Sequence, residues 1–307
     1  MQLLKSLTGG DYMTSKDNKR IKDYGIGTVL IYIVMILFAL ICVFPFIYEL
    51  LLSFSSQQDY LAAKYIVFPK HPTLESYKYI LFQDQTIISF LISLLVTVCG
   101  SAFTMIFSIL GAYVLSKDEM PGRKIFFVLI LITMFFDGGL IPFYLTVKGL
   151  KLNNTLLALI IPFAISSYDM ILLRNFFRQI PHEVIESAEM DGANELQVLF
   201  KFVVPLSMAG IVTISMFTIV AKWNDWYWPL IFLTLREDLF PLALQLRNVL
   251  MNQQGSVDLN GYVDMSKMFT QSQNAAMVMI SILPIICAYP FLQKFFVKGA
   301  MMGAIKE

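Results

Sequence analysis

The chain has 307 residues, of which 57% are hydrophobic and 15% are charged. Soluble domains are roughly a quarter charged, so this composition predicts a membrane protein and argues against a soluble enzyme. The formal net charge of +1 leaves no basic excess for neutralising phosphates, which argues against nucleic-acid binding.

Six long apolar runs predict an all-α membrane protein with six transmembrane helices. Each is long enough to cross about 30 Å of hydrocarbon. The transmembrane domain is predicted over residues 26–298, between a basic N-terminal segment, 1–25, and a short tail, 299–307. The first run is too long for the core of a cleaved signal peptide. The six runs lie at about residues 26–52, 86–115, 125–147, 154–173, 207–233 and 274–296.

Two long polar stretches, residues 53–85 and 234–273, are predicted to be large external loops. The second carries leucines at helical spacing between Leu239 and Leu250, which indicates a short amphipathic helix. Such a helix is either a docking surface or a lid that rests on the spans.

The third run is interrupted by Asp137-Gly138-Gly139 and then by Pro142. A break at this depth is tolerated only where neighbouring protein or water satisfies the freed backbone groups. Asp137 therefore either contacts a substrate in a pathway or caps the broken helix end.

Residues 181–205, between the fourth and fifth runs, predict a hairpin of two short helices. Pro181 suits the first helical position, where its missing N–H is no loss. Three carboxylates follow on one face, near the positive end of the helix dipole. They belong to Glu183, Glu186 and Glu189.

The hinge of this hairpin is predicted at Asp191-Gly192, because glycine takes the left-handed conformation after a helix without penalty. Asn194 can then cap a second helix, which is expected to end before Pro205.

An aromatic segment in the fifth run has two interpretations. It is either an interfacial aromatic belt or the wall of a pathway, in which indole faces stack on sugars while Asn224 and Asp225 accept hydrogen bonds from hydroxyls. Charged groups inside a membrane are costly and are usually functional or paired, so Asp225 and Lys222 leave both interpretations open. The candidate pathway residues are Asp137, Trp223, Asn224, Asp225, Trp226 and Tyr227.

The distribution of Lys and Arg predicts the orientation. The side that would hold both termini and the hairpin carries 14 of these residues, and the other side carries 8. Positive charge is enriched on cytoplasmic loops, so both termini and the hairpin are expected in the cytoplasm.

The hairpin resembles the EAA loop of permease subunits of binding-protein-dependent ABC importers. The family pattern is E-A-A, three residues, G, nine residues, then I-x-L-P. The matching positions here are Glu186, Ser187, Ala188, Gly192, Phe202, Val204 and Pro205. In that family the loop is the coupling helix that docks on the ATPase, so the resemblance implies this role for the matched residues together with Glu183 and Asp191.

Over almost its full length the chain resembles the carbohydrate uptake family, on the side of the MalG-like subunits. The runs DGGLIPFYLTVKGL and ILLRNFFRQIP are closer still to its LplC/YtcP-like members. The resemblance implies a six-span MalG-like type I importer fold in a bacterial plasma membrane. It further implies a second, MalF/LplB-like permease, two ATP-binding subunits, an extracellular sugar-binding protein and a complex oligosaccharide as substrate.

No catalytic residue or metal ligand is expected in the chain. It contains no phosphate loop of the G-x-x-x-x-G-K-S/T type, so ATP and Mg²⁺ are expected on the partner subunits. The motifs HExxH and G-x-S-x-G are absent, and His71 and His182 lack a paired ligand spacing. The cysteines, Cys42, Cys99 and Cys287, lie far apart in apolar runs, as packing or lipid-facing residues do.

Three alternatives remain beside the sugar importer. The first is an ABC permease for a non-sugar solute. The second is an intramembrane enzyme, which the missing motifs disfavour. The third is a secondary carrier, which would be built from inverted halves, yet the hairpin has no counterpart between the first and third runs.

Overall fold

The computed structural model describes residues 26–56, 59, 68–254 and 265–304. Every regular element in these ranges is helical, which confirms the predicted all-α class for them. Contacts divide the chain into two units, residues 1–47 and 48–307. The described part of the first unit is the beginning of helix α1, and the helices from α2 onward belong to the second.

The helices range from one turn to eleven turns in length. Between them lie 3₁₀ turns at Leu156–Leu159, Ile161–Phe163 and Glu237–Leu239, and a π turn at Leu199–Val203. The α-helices are α1 (Ile26–Ser53), α2 (Glu75–Leu81), α3 (Asp84–Ser116), α4 (Arg123–Phe135), α5 (Leu140–Gly149), α6 (Ser167–Phe177), α7 (His182–Met190), α8 (Glu195–Val198), α9 (Val204–Leu206), α10 (Met208–Trp223), α11 (Tyr227–Phe232), α12 (Leu242–Gln254) and α13 (Met265–Ala304).

Three of the described helices are long and apolar enough to cross a membrane alone. They are Gly27–Ser53, Asp84–Ser116 and Gln271–Pro290. Three further candidates are pairs of helices bent at a short break, so the described residues hold three spans, or six if each pair is one span. The bends are 110° between α4 and α5, 44° before α6, and 82° before α10.

The fourth and fifth runs are broken, although each was predicted as one continuous helix. In the fourth, 3₁₀ turns containing Pro162 precede α6, whose start is capped by Ser166 through the N–H of Asp169. In the fifth, α10 ends at Trp223, and Asp225 caps α11 by accepting the N–H groups of the next helix. The carboxylate and the missing proline N–H favour helix starts at these points over continuation.

The predicted external loops also contain helices. Residues 53–85 include α2 and the first turn of α3, so they are not a simple loop. The leucine pattern of residues 234–273 corresponds to α12, and residues 255–264 lie outside the described part of the chain.

The largest buried cluster forms where α3, α6 and α10 meet the hairpin. The buried residues of α3 include a stripe of small hydroxyl side chains, which lets neighbouring helices approach closely. The stripe consists of Ser89, Ser93, Thr97, Ser101, Thr104 and Ser108. The apolar cluster consists of Met105, Ala112, Tyr113, Leu115, Met170, Leu173, Phe177, Ala188, Val198, Leu199, Val203, Ile211 and Ile214.

Candidate functional site

A cavity of about 600 Å³ opens between α3, the 3₁₀ turns before α6, α6 itself, α10 and α11. One part of its wall is apolar and aromatic, with Leu159, Phe163, Phe217 and Trp228. The other part is polar, with Ser93, Thr104, Tyr168, Asp169, Thr218, Lys222 and Asp225. We call it the charged cavity, after Asp169, Lys222 and Asp225.

The two carboxylates of the charged cavity are held in different ways. Asp169, only 9% exposed in the first turn of α6, accepts a hydrogen bond of 3.2 Å on Oδ2 from Thr218 Oγ1. Asp225 Oδ1 accepts the backbone N–H groups of Tyr227 and Trp228 at 3.0 and 3.2 Å. The Asp225 carboxylate is thus fixed by the start of α11 and the Asp169 carboxylate by Thr218 of α10, and each retains free acceptor capacity.

Lys222 provides the cation of the charged cavity. Its half-buried side chain runs along α3 beside Gly100, where an added Cβ would come within 3.0 Å of Lys222 Cδ. The ammonium lies 5.7 Å from the ring centre of Phe163. Within the described residues it makes no hydrogen bond and no ion pair shorter than 4.0 Å. Its donors are therefore available to a ligand.

Of the six predicted pathway residues, Asp225 is the one that lines this cavity. Trp223 is buried instead, with its Nε1 donating to the Ser281 carbonyl at 2.9 Å and its ring 5.8 Å from that of Phe90. That position serves packing against α13.

Three other predicted pathway residues surround the break after α10. Asn224 and Trp226, together with Trp223, line a second cavity of about 460 Å³, in which the Arg247 guanidinium lies 4.6 Å from the Trp226 ring centre. The ring of Tyr227 packs edge-on against those of Trp226 and Trp228.

Asp137 lies at the exposed break between α4 and α5. Its Oδ1 accepts the N–H of Gly139 at 3.1 Å, which is a capping geometry. This contact matches the capping reading of Asp137, and the carboxylate does not line the charged cavity.

Sequence reasoning did not single out Asp169, Thr218 or Tyr168. The sequence could have identified Asp169 as a candidate, because it is a carboxylate close to the end of an apolar run, where charge is costly. It could not have identified Thr218 or Tyr168, because a hydroxyl on an apolar helix most often bonds to its own backbone.

The hairpin forms the second candidate site, and its first helix is α7. Helix α7 begins at His182, so Pro181 stands just before it, one position earlier than predicted. Gly192 ends it with φ of +84°. The N–H of Gly192 bonds to Glu189 O and that of Ala193 to Ala188 O, each at 3.0 Å. These two bonds close a Schellman motif.

The second helix of the hairpin is capped as predicted but ends later. Asn194 and Gln197 form a reciprocal capping box, with bonds of 2.9 and 3.0 Å. The helical path then passes through the π turn and through Pro205 to Leu206, so the prediction of an end before Pro205 is wrong. Pro205 lies near the start of α9, where its missing N–H is tolerated.

The hairpin exposes most of α7 and buries only a narrow strip of it. Ala188 and Ile185 pack into the cluster that contains Phe177 of α6. Outside this strip lie the acidic side chains of Glu183, Glu186 and Glu189, with Ser187 and Asp191. Large apolar groups are exposed beside them, at 88% for Met190, 62% for Leu196 and 58% for Phe200.

Ion pairs fasten the hairpin to the α3–α4 turn. Lys117 contacts Glu195, which also accepts the Tyr113 hydroxyl at 2.7 Å. Burial lowers the pKa of Lys117, but its hydrogen bonds to Glu195 and Tyr113 outweigh that effect and leave the pKa raised. Asp118 contacts Arg123, and lies 3.6 Å from both Arg178 Nη2 and His182 Nε2.

The chain is similar in sequence to known proteins over most of its length. No protein-family model matches the chain. It is 39% identical, over 91% of its length and 97% of the relative, to the polygalacturonan/rhamnogalacturonan transport system permease protein YtcP of Bacillus subtilis. It is 35% identical to protein LplC of the same organism, over 87% of this chain and 90% of that one.

A solved structure shows the same likeness in three dimensions. It is the crystal structure of a bacterial ABC transporter involved in the import of the acidic polysaccharide alginate. One of its chains superposes with a TM-score of 0.79 and 31% identity, over 88% of this chain and 96% of that one.

Proposed function

The chain belongs to the permease subunits of sugar ABC transporters, and from this premise we propose that it is the MalG-like half of an importer for a complex oligosaccharide. Such permeases are membrane proteins and are not themselves enzymes. The names of two relatives, which concern polygalacturonan/rhamnogalacturonan and alginate, support a polymer-derived sugar.

The partners follow from the same proposal. A second, MalF/LplB-like permease completes the membrane pathway, two ATP-binding subunits bind and hydrolyse ATP with Mg²⁺, and an extracellular binding protein delivers the sugar. Hydrolysis is assigned to the ATPase subunits because this chain has no phosphate loop.

The hairpin is proposed to be the coupling element, with the termini on the same, cytoplasmic side. Its exposed surface joins three carboxylates to the apolar side chains of Met190, Leu196 and Phe200. An exposed apolar patch rimmed by charge is typical of a surface that another protein covers. The ATPase subunit is the partner that such a surface would receive in an importer.

The observation that carries the proposal is that helix α6 connects the charged cavity with the hairpin. Its first turn bears Asp169 in the charged cavity, and its last residue, Phe177, packs in the cluster with Ala188 of the hairpin. A rigid helix of 11 residues spans about 16 Å, so displacement of α7 by the ATPase would move the wall of the cavity. ATP-driven alternating access would use this connection.

The test is an affinity purification of the tagged chain in mild detergent. We expect one further permease and an ATP-binding subunit to co-purify, and Glu186→Lys to lose the ATPase while keeping the second permease. The matched control is Glu237→Lys, which makes the same charge change at an exposed position of residues 234–273. Recovery of the chain alone, or equal ATPase retention in both variants, would contradict the proposal.

A further inference from the structure

We propose that the charged cavity is an oligosaccharide subsite of this subunit that takes an uncharged sugar residue and rejects a uronate. The inference rests on the proposed function, because it assumes that a sugar passes through the chain. It concerns the charge of the sugar that the cavity accepts, and it departs from the acidic polymers for which the relative YtcP and the solved importer are named.

The first argument concerns the acidic and basic side chains that line the charged cavity. Two carboxyl groups, Asp169 and Asp225, line the space with one amine, Lys222, so acidic side chains outnumber basic ones there. Tyr168 adds a phenol hydroxyl to the same lining. A uronate would add a third carboxylate to a half-buried space, where repulsion between like charges is stronger than in water.

The hydrogen-bonding groups carry the second step. The Lys222 ammonium offers donors only, and the carboxylates of Asp169 and Asp225 offer acceptors only. A pair of neighbouring hydroxyls on a sugar ring both accepts and donates, so it can bridge the ammonium and a carboxylate together. These ring hydroxyls are common to a neutral sugar and a uronate, so the two differ only at C6. There the uronate carboxylate offers acceptors only and cannot pair with an aspartate, whereas the hydroxyl of a neutral sugar can donate to one.

The third argument concerns the volume of the charged cavity and its aromatic side chains. Ligand cavities commonly measure about 300–1,000 Å³, and this one is about 600 Å³. The same wall contains Phe163, Phe217 and Trp228, whose rings can cover the C–H face of a sugar. The polymer named for the solved importer is acidic, so this inference separates the selectivity of the present chain from that of the importer.

The experiment compares two trisaccharides that differ only at C6, where one has carboxylates and the other has uncharged hydroxyls. One is α-1,4-linked trigalacturonate, and the other is the same compound with its carboxyls reduced to primary alcohols. Each is titrated calorimetrically into the purified importer in nanodiscs, without the binding protein, so that the binding protein makes no selection. We expect the reduced compound to bind at least about tenfold more tightly.

Salt reveals the sign of the interaction. If the wall repels uronate, raising the salt from about 50 to about 300 mM strengthens trigalacturonate binding, because screening weakens repulsion. If Lys222 anchors the carboxylate instead, the same change weakens binding. The second outcome, or a tighter fit of the uronate compound at any salt concentration, would overturn the proposal.

Variants place the binding in this cavity. Asp169→Asn and Asp225→Asn should each reduce the difference in binding affinity between the two trisaccharides. Lys222→Gln should weaken the binding of the neutral trisaccharide several-fold. Asp84→Asn removes an exposed carboxylate at the start of α3 and should change neither affinity. Each complex is first checked for bound ATPase, and two independent aspartate variants guard against one that fails to assemble.

The remaining outcomes are also decisive. If neither compound binds, or if both bind to all cavity variants as to the wild type, the cavity is not a subsite and the inference fails. The proposed importer would still stand, because its own test is whether the partner subunits co-purify before any sugar is added.

Discussion

Gly192 is the residue at which local geometry and the coupling proposal meet. Its backbone has φ of +84°, in the left-handed region, and it ends α7 through the Schellman bonds. A Cβ built there would meet no atom within 4 Å. Any cost of a side chain at Gly192 is therefore backbone strain and not a steric clash.

We expect Gly192→Val to uncouple uptake from ATP hydrolysis. A non-glycine residue in the left-handed region costs about 1–2 kcal/mol, and a β-branched one is especially disfavoured. Gly192→Asn is the matched control, since asparagine tolerates this region. Two quantities are measured in parallel, sugar uptake and the amount of ATPase subunit that co-purifies, and both should fall much further in the valine variant. An equal effect of the two substitutions would speak against a conformational role of Gly192.

At the scale of elements, α6 and α10 pack closely because small residues leave room for large ones. Gly210 is buried, and a Cβ on it would lie 2.5 Å from Cγ of the Phe176 ring. Gly111 of α3 receives the Met170 side chain of α6 in the same way, with Cε 2.5 Å from the position of an added Cβ. Helix α6 is thus held closely on both sides, and the contact at Gly210 is the stricter one, because the Phe176 ring is rigid while the end of the Met170 side chain can move.

Gly210→Ala should therefore destabilise the packing of α6 on α10 by about 1–3 kcal/mol, as overpacking of a tight core does. The readout is the thermal midpoint of the detergent-solubilised protein. Phe176→Ala in the same chain removes Cγ and the ring beyond it, the atoms that the new methyl group would meet, and should restore part of the loss. A double variant no more stable than Gly210→Ala would show that the clash is relieved elsewhere.

At the scale of the whole molecule, the proposed orientation requires the hairpin and residues 234–273 to lie on opposite sides of the membrane. Each region offers a highly exposed apolar side chain, Met190 at 88% and Leu235 at 81%. Neither side chain belongs to a buried cluster, so a cysteine at either position should react freely when the reagent reaches it.

We expect a membrane-impermeant maleimide to label Leu235→Cys in intact cells, and Met190→Cys only after permeabilisation. The background is a chain in which Cys42, Cys99 and Cys287 are replaced by alanine. Each variant is the other's control for expression and reactivity. Labelling of Met190→Cys from outside would reverse the orientation inferred from the distribution of Lys and Arg.

Several features were predictable because their causes lie within a few residues. The apolar runs predicted a membrane protein, and the 25-residue hairpin pattern predicted the family. Asn194 and Gly192 predicted the helix cap and the hinge of the hairpin. The break at Asp137-Gly138-Gly139 was also local. The breaks at Ser166 and Asp225 were missed, because a polar residue in an apolar run signals a cost without saying whether it caps a helix or faces a cavity.

By itself, then, the sequence determined that this is an all-helical membrane permease of the sugar ABC transporter family, because hydropathy and motif spacing are properties of neighbouring residues. Tertiary structure alone decided which polar groups meet. Asp169 and Thr218 are 49 residues apart in the chain yet share a hydrogen bond, and Trp223 is buried while Lys222 beside it enters the cavity. These outcomes depend on how each helix is rotated against its neighbours, and that rotation is set by packing across the whole bundle.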